Sequence, residues 1–273
     1  MRVHHCIKTD NKPIFLDVNL TDKNNRPLVI FSHGFKGFKD WGSFNYVSNV
    51  FAERGLNFLK FNFSHNGLLE EKHTHFTDLE SFGKNNFSIE LDDLQTVIDW
   101  AVNHLSIKVD INRMYLIGHS RGGGISIIKA SEEQRIKKIV SWASVSDFEK
   151  RIVNNKVDLW KKRGVAYIYN KRTNQQLPLY YQFYENFIQN KDRFSIPKAC
   201  QSLSIPSLII HGKDDETVDF SEAIQLHDYM SDSKLLAIDN CNHVFNAQHP
   251  FDDTFIPKEL KMVIDESIIF LKQ

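Results

Sequence analysis

Met114-Tyr115-Leu116-Ile117 is a short apolar run that leads directly into Gly118-His119-Ser120-Arg121-Gly122, and a helical pattern follows from Gly122 to Ala130. Gly-x-Ser-x-Gly between a strand and a helix carries a meaning that the same five letters lack elsewhere. The chain must reverse sharply at this point, which holds the serine in a strained backbone conformation. Side chains two residues to either side would collide with neighbouring backbone, so glycine stands at both positions. The turn lifts the Ser120 hydroxyl above the sheet edge at a helix N-terminus, where amides and the helix dipole favour developing negative charge. A phosphate loop is the competing reading. No Gly-Lys-Ser/Thr ending is present, and Gly122-Gly123-Gly124 does not fit G-x-G-x-x-G.

On either side of this segment the same rhythm repeats. Pro27 to Phe31 is an apolar run that ends at Ser32-His33-Gly34, as expected of a strand covered on both faces. Helix is expected from Phe44 to Arg54, closed by Gly55, and strand from Phe58 to Phe63. Leu91, Leu94, Ile98, Ala101 and Leu105 fall on one helical stripe, with Asp92, Asp93, Gln95 and Asp99 facing away. Further strands are expected at Lys138–Ala143, Pro206–Ile210 and Lys234–Ile238. Asp219-Phe220-Ser221-Glu222 reads as a capping box opening a helix to about Met230, and Pro257 sits where a last helix begins. Alternation of this kind specifies an α/β fold with a mostly parallel sheet and helices on both faces. With no repeat and no low-complexity linker, residues 1–273 read as one domain carrying an insertion at about 148–200.

The composition agrees. Of 273 residues, 41% are hydrophobic and 25% charged, as in a folded globular chain. Such a chain buries roughly three quarters of the surface it exposes when unfolded and needs no disulfide or metal staple. Lys+Arg and Asp+Glu both number 34, which removes the electrostatic case for nucleic acid or an anionic membrane as partner. Cys6, Cys200 and Cys241 are widely spaced and form no C-x-x-C, so neither a disulfide framework nor a zinc knuckle is indicated. The N-terminal residues lack the apolar stretch of a secretory signal, and no apolar run approaches the ~20 residues that span a bilayer. A cytoplasmic protein is expected.

A serine hydroxyl is a poor nucleophile until an oriented base removes its proton. In a sheet of this kind the partners follow in the order serine, acid, histidine. Acids stand after a late strand in His211-Gly212-Lys213-Asp214-Asp215-Glu216-Thr217-Val218, and a histidine follows the next strand in Asp239-Asn240-Cys241-Asn242-His243. Both loops fall at the carboxyl ends of strands, where active sites of open α/β sheets assemble. Asp214 and Asp215 are rivals on position alone.

These residues resemble the α/β-hydrolase superfamily, whose acid loop usually runs His-Gly-x-x-Asp-x-x-Val. That pattern selects Asp215, with Val218 three residues on, and His243 matches the family histidine. The resemblance covers Pro27–Phe63, Asn112–Ala143 and Pro206–Phe245. It implies an α/β-hydrolase fold of about eight strands with a small cap. His33-Gly34-Phe35-Lys36-Gly37 looks like the family's oxyanion-hole loop, with the backbone N–H groups of Phe35 and Arg121 as donors. The string from His33 to Gly42 is similar to dienelactone-hydrolase-like and oligopeptidase-like proteins. The layout, with a cap between the sixth and seventh core strands, is similar to cinnamoyl and feruloyl esterases. Many capped relatives carry Gly-His-Gly after the fourth strand, where this chain has Phe63-Ser64-His65-Asn66-Gly67.

The insertion holds five of the eight tyrosines, and a β-hairpin (Val165–Tyr169, then Gln175–Leu179) followed by a helix from about Tyr180 to Gln189 is expected. Tyr167, Tyr169, Tyr181 and Tyr184 are the candidate substrate contacts. His65, His73 and His75 raise a metal reading, but no pattern of further ligands supports it, and no cofactor or metal is expected. Cys241, two residues before His243, is a second nucleophile candidate that the serine turn makes redundant. The resulting expectation is a hydrolase that cleaves small carboxylic esters through Ser120, His243 and Asp215. A peptidase, thioesterase, acyltransferase or non-catalytic binding protein would use the same fold.

Overall fold

Strand pairing in the computed structural model, which describes residues 2–9, 12–69, 75–152 and 156–273, builds one large sheet and a separate two-stranded one. The chain opens with β1 (Arg2–Ile7), β2 (Ile14–Asn19), β3 (Arg26–Ser32), α1 (Phe44–Glu53) and β4 (Asn57–Phe61). Next come α2 (Leu79–Lys84), α3 (Phe87–Leu105), β5 (Val109–His119), α4 (Arg121–Glu132) and β6 (Ile136–Trp142). The insertion follows as α5 (Glu149–Ile152), α6 (Val157–Arg163), β7 (Val165–Asn170), β8 (Gln175–Tyr180), α7 (Gln182–Gln189) and α8 (Ile196–Ser202). The chain then returns through β9 (Ser207–Gly212), α9 (Ser221–Tyr229), β10 (Ser233–Ile238) and α10 (Lys258–Lys272).

The eight-stranded order is β1-β2-β4-β3-β5-β6-β9-β10, and β7 pairs only with β8. From β4 to β10 all neighbours are parallel, whereas β1–β2 and β2–β4 are antiparallel. The cap hairpin therefore interrupts the chain between the sixth and seventh strands of the large sheet.

Period-two alternation along the strands builds two cores. Leu28 and Ile30 of β3 join one apolar cluster with Leu91 and Leu94 of α3 and Ile125 of α4. Val29 and Phe31 point the other way, into a second cluster with Val47 and Phe51 of α1 and Val263 and Ile268 of α10. Helices thus cover both faces of the sheet.

Local signals account for most boundaries. Asn86 starts α3 by accepting the Ile89 N–H at 3.0 Å, one turn earlier than the apolar stripe indicates. Gly55 follows α1 at φ +84°, a conformation that favours glycine. The capping box expected at Asp219 does not form. Asp219 accepts the N–H of Ser221, while Glu222 is drawn away to the Ser146 N–H at 2.8 Å and to Arg151. Asp93 does not face solvent either. It is 8% exposed and accepts the Ser64 N–H at 2.7 Å, because the loop after β4 folds over this side of α3.

Candidate active site

Ser120 stands between β5 and α4 at φ +57° and ψ −122°, far from the conformations L-residues prefer. The strain persists because the surroundings determine it. The Ser120 N–H is held by the Trp142 carbonyl at 2.9 Å, and its own carbonyl accepts from Gly123 at 3.0 Å. A β-carbon at Gly122 would lie 2.4 Å from the carbonyl oxygens of both Ser32 and His33, and one at Gly118 would lie 2.3 Å from the Gly122 carbonyl oxygen. Glycine at both positions lets the turn nest against β3.

The loop after β3 approaches the serine just as closely. A β-carbon on Gly34 would come within 2.8 Å of the Ser120 Cβ. This loop is closed by the Gly37 N–H donating to the Gly34 carbonyl. His33 braces it from behind: Nδ1–H donates to the Gly34 carbonyl at 2.9 Å, and Nε2 accepts the Phe63 N–H at 3.3 Å. Burial pushes the His33 imidazole down to about 4, so it stays neutral in that role.

The acid and histidine loops meet beside the serine turn. Asp215 Oδ2 lies 2.7 Å from His243 Nδ1, while Oδ1 accepts the N–H groups of Thr217 and Val218 at 2.8 and 2.9 Å. His211, the first residue of the acid motif, contributes Nε2 at 3.2 Å from the same carboxylate. Burial alone would raise the Asp215 carboxyl, but hydrogen bonds from His211 and His243 hold it well below the usual range. Asp214 is exposed at the surface. Asn242 shapes the histidine loop by accepting the N–H groups of Val244 and Asn246.

His119, the residue before the serine, had no role in the sequence reading. It is buried, and its Nε2–H donates to the His243 carbonyl at 2.9 Å, with the two rings 4.7 Å apart. Burial, reinforced by the nearby His243, pushes it down to about 3. The serine turn and the histidine loop are thereby joined directly. Ser120 and His243 line the same cavity, and no hydrogen bond joins Ser120 Oγ to the imidazole in this structure. Such contacts commonly tighten when substrate binds. Cys241 is buried and its thiol is pushed up to about 12, chiefly by burial, which leaves it protonated and inert near neutrality.

The cavity in front of Ser120 measures about 430 Å³, and the cap supplies one of its walls. Here the structure corrects the sequence reading. Ile168 and Asn170 of β7 face the cavity, so Tyr167 and Tyr169, one residue out of phase, point outward and are 62% and 48% exposed. Tyr181 and Tyr184 stack on each other at 5.6 Å and against Trp160. No tyrosine lines the cavity. Its walls are Phe87, Val145, Phe148, Leu179 and Phe183, with the Arg121 guanidinium held 3.8 Å above the Phe35 ring and paired with Glu90 at 3.3 Å.

Among the described residues no group of three or more His, Cys, Asp or Glu is placed to hold a metal ion. His65 instead bonds the Ser64 hydroxyl at 2.8 Å, and His73 lies outside the described residues. No helix among the described residues is long and apolar enough to cross a membrane.

A left-handed serine between strand and helix, on a mostly parallel sheet of this order, defines an α/β-hydrolase fold. Residues 42–249 match the prolyl oligopeptidase family, and the chain belongs to that family of hydrolases. Est1E from Butyrivibrio proteoclasticus, solved with ferulic acid bound, superposes with a TM-score of 0.71 at 17% identity, over 98% of each chain. The esterase domain of a Rhodothermus marinus protein gives 0.66 at 15% identity over 99% of each chain. Dienelactone hydrolase from Anabaena variabilis gives 0.64 at 15% identity, over 100% of this chain and 97% of the other. At these identities the likeness establishes the fold. A 31.7 kDa protein from the traX-finO intergenic region of Escherichia coli is 33% identical over 121 residues, 44% of this chain and 38% of that protein's length.

Proposed function

We propose that the protein is a serine esterase that works through an acyl-enzyme. The observation that carries this reading is the convergence of Ser120 and His243 on one cavity, with Asp215 bonded to the far nitrogen of that histidine. His243 takes the Ser120 proton as the hydroxyl oxygen adds to the substrate carbonyl, and the N–H groups of Phe35 and Arg121 receive the resulting oxyanion. Asp215 holds the Nδ1–H tautomer and stabilises the imidazolium. The proton then passes to the leaving alcohol as the carbon–oxygen bond breaks. Water, deprotonated by His243, releases the acid and regenerates the serine.

An ester is favoured over a peptide because the cap and the apolar walls line a pocket of about 430 Å³, the size of a small molecule. The ester-hydrolysing relatives of the same fold agree with that choice. The test is labelling by a fluorophosphonate, with esterase and peptidase substrates assayed in parallel. Ser120 is expected to take the label, and Ser120→Ala to abolish both labelling and ester turnover. A folded protein that labels equally after the substitution, or cleaves peptides and not esters, would overturn the proposal.

A further inference from the structure

A second, smaller cavity of about 120 Å³ adjoins the first, and the two share Ser120, His243, Phe35, Lys36 and Arg172. Among the described residues, no Asp or Glu lines either cavity. Four cations border the larger one. Arg121 is paired with Glu90 and Arg151 with Glu222, whereas Lys36 and Arg172 have no carboxylate partner among the described residues.

Contacts of the Arg172 side chain and the turn at Lys36 bring these two cations to the same edge of the cavities. Arg172 sits in the turn of the cap hairpin, where its Nη2–H donates to the Lys36 carbonyl at 2.7 Å. Its guanidinium carbon lies 5.7 and 5.8 Å from the ring centres of Phe38 and Trp41, within reach of their electron-rich faces. Lys36 occupies the turn at φ +58°, a position that favours glycine or asparagine over any long side chain. Burial, with Arg172 and Arg121 behind it, lowers the Lys36 ammonium from its ordinary value. Two like charges therefore stand near each other beside cavities that no Asp or Glu lines among the described residues.

We propose that the substrate carries a carboxylate within a few bonds of its scissile carbonyl, bound between Lys36 and Arg172. Its apolar part fills the larger cavity against Phe87, Phe148, Leu179 and Phe183. Arg172 offers planar paired donors and Lys36 a point charge, a combination suited to a carboxylate at the entrance to the serine. The assignment rests on the esterase reading for the place of the scissile bond, and the cations assign the charge.

Two substrate pairs that differ only in charge test it. One is the mono-para-nitrophenyl ester of adipic acid against its neutral half-amide. The other is the butanoyl ester of meta-hydroxybenzoic acid against that of meta-hydroxybenzamide. In at least one pair kcat/KM for the acid is expected to exceed that for the amide by about tenfold, the worth of a charge-assisted contact. Arg172→Gln and Lys36→Gln should each lower that ratio about fivefold or more, and added salt should erode it. Ratios at or below one in both pairs, or ratios untouched by both substitutions, would overturn the proposal. Calorimetric titration of Ser120→Ala with the same esters separates the two readings. Tighter binding of the acids without turnover in the unsubstituted protein would support the anion site and sink the esterase. Equal binding of acid and amide would sink the anion site whatever the turnover.

Discussion

Asp215 after β9 and Asp17 on β2 are both carboxylates folded into the interior, at 6% and 0% exposure. Burial would raise both, and in both the neighbours win and hold the group well below the usual carboxylate range. Asp17 meets Lys60 and His4 directly across its two strand pairings, and Lys39 reaches it at 3.0 Å from the loop that follows Gly37. Lys39 and Lys60 are themselves buried, and both turn back to Asp40, so the charges close on one another. His243, by contrast, has Asp215 behind it and a cavity with Ser120 in front. A perturbed buried acid marks a site of chemistry only where its partner can pass a proton to something that enters and leaves. The Asp17 cluster has the perturbation without that exit. It pins the Lys39–Asp40 stretch of the loop after β3 to the sheet.

Replacing each carboxylate by its amide probes this contrast at its strongest. Asp215→Asn should lower kcat on an ester by about 10⁴-fold, because an amide stabilises neither the required tautomer nor the imidazolium. Asp214→Asn, one residue away and exposed, should leave kcat near that of the parent. Steady-state kinetics on both variants decide it. Comparable losses in the two, or no loss in Asp215→Asn, would remove Asp215 from the mechanism.

Asp17→Asn should act on stability. It leaves the buried Lys39 and Lys60, with Arg2, to share Asp40, and breaking a buried pair from one side costs about 3–5 kcal/mol. Urea unfolding should show that loss, while kcat of the fraction that stays folded should remain within about an order of magnitude of the parent. A kcat loss as deep as that of Asp215→Asn, with unfolding unchanged, would reverse the roles assigned to the two clusters.

How much of this was legible in the sequence follows the same division. The three segments of the site could be read because each is a strand end followed by a tight turn, and local sequence specifies both features. The structure brings Ser120 and His243 to one cavity and bonds Asp215 to the histidine, and the choice of Asp215 over Asp214 came from the family pattern. The tyrosines failed for a physical reason. Their hairpin was legible, but which of its two faces turns inward depends on how the cap packs, and a shift of one residue exchanges Ile168 for Tyr169. The Lys36–Arg172 contact joins residues 136 positions apart, on a core loop and a cap turn, and nothing local links them. The Asp17 cluster depends on β1 and β2, an edge hairpin for which the sequence reading had no strands. His119 sat inside the quoted motif, but its bond runs to a backbone carbonyl that no pattern encodes.

Asp93 gives the contrast its finest test, since it is a third buried carboxylate and no lysine or arginine pairs with it among the described residues. Burial pushes it up to about 7 from an ordinary 3.8, with Glu90 and Asp92 adding to the effect. The folded protein therefore holds a proton that the unfolded chain releases. That contribution to stability is complete below about pH 3.8 and is lost as pH rises through about 7. Asp17 and Asp215 have the opposite sign: their contributions are present above about 3.8 and are lost as pH falls below it. Thermal unfolding of the parent and of Asp93→Asn at about pH 5 and about pH 8.5 isolates the first effect, because the amide keeps the shape and cannot titrate. The midpoint of the variant relative to the parent should rise between the two pH values, by about 2–4 °C for each kcal/mol the carboxyl gives up. A constant difference would mean that Asp93 is ionised in the folded protein at both pH values, and that burial without a counter-charge is tolerated here as readily as burial with one.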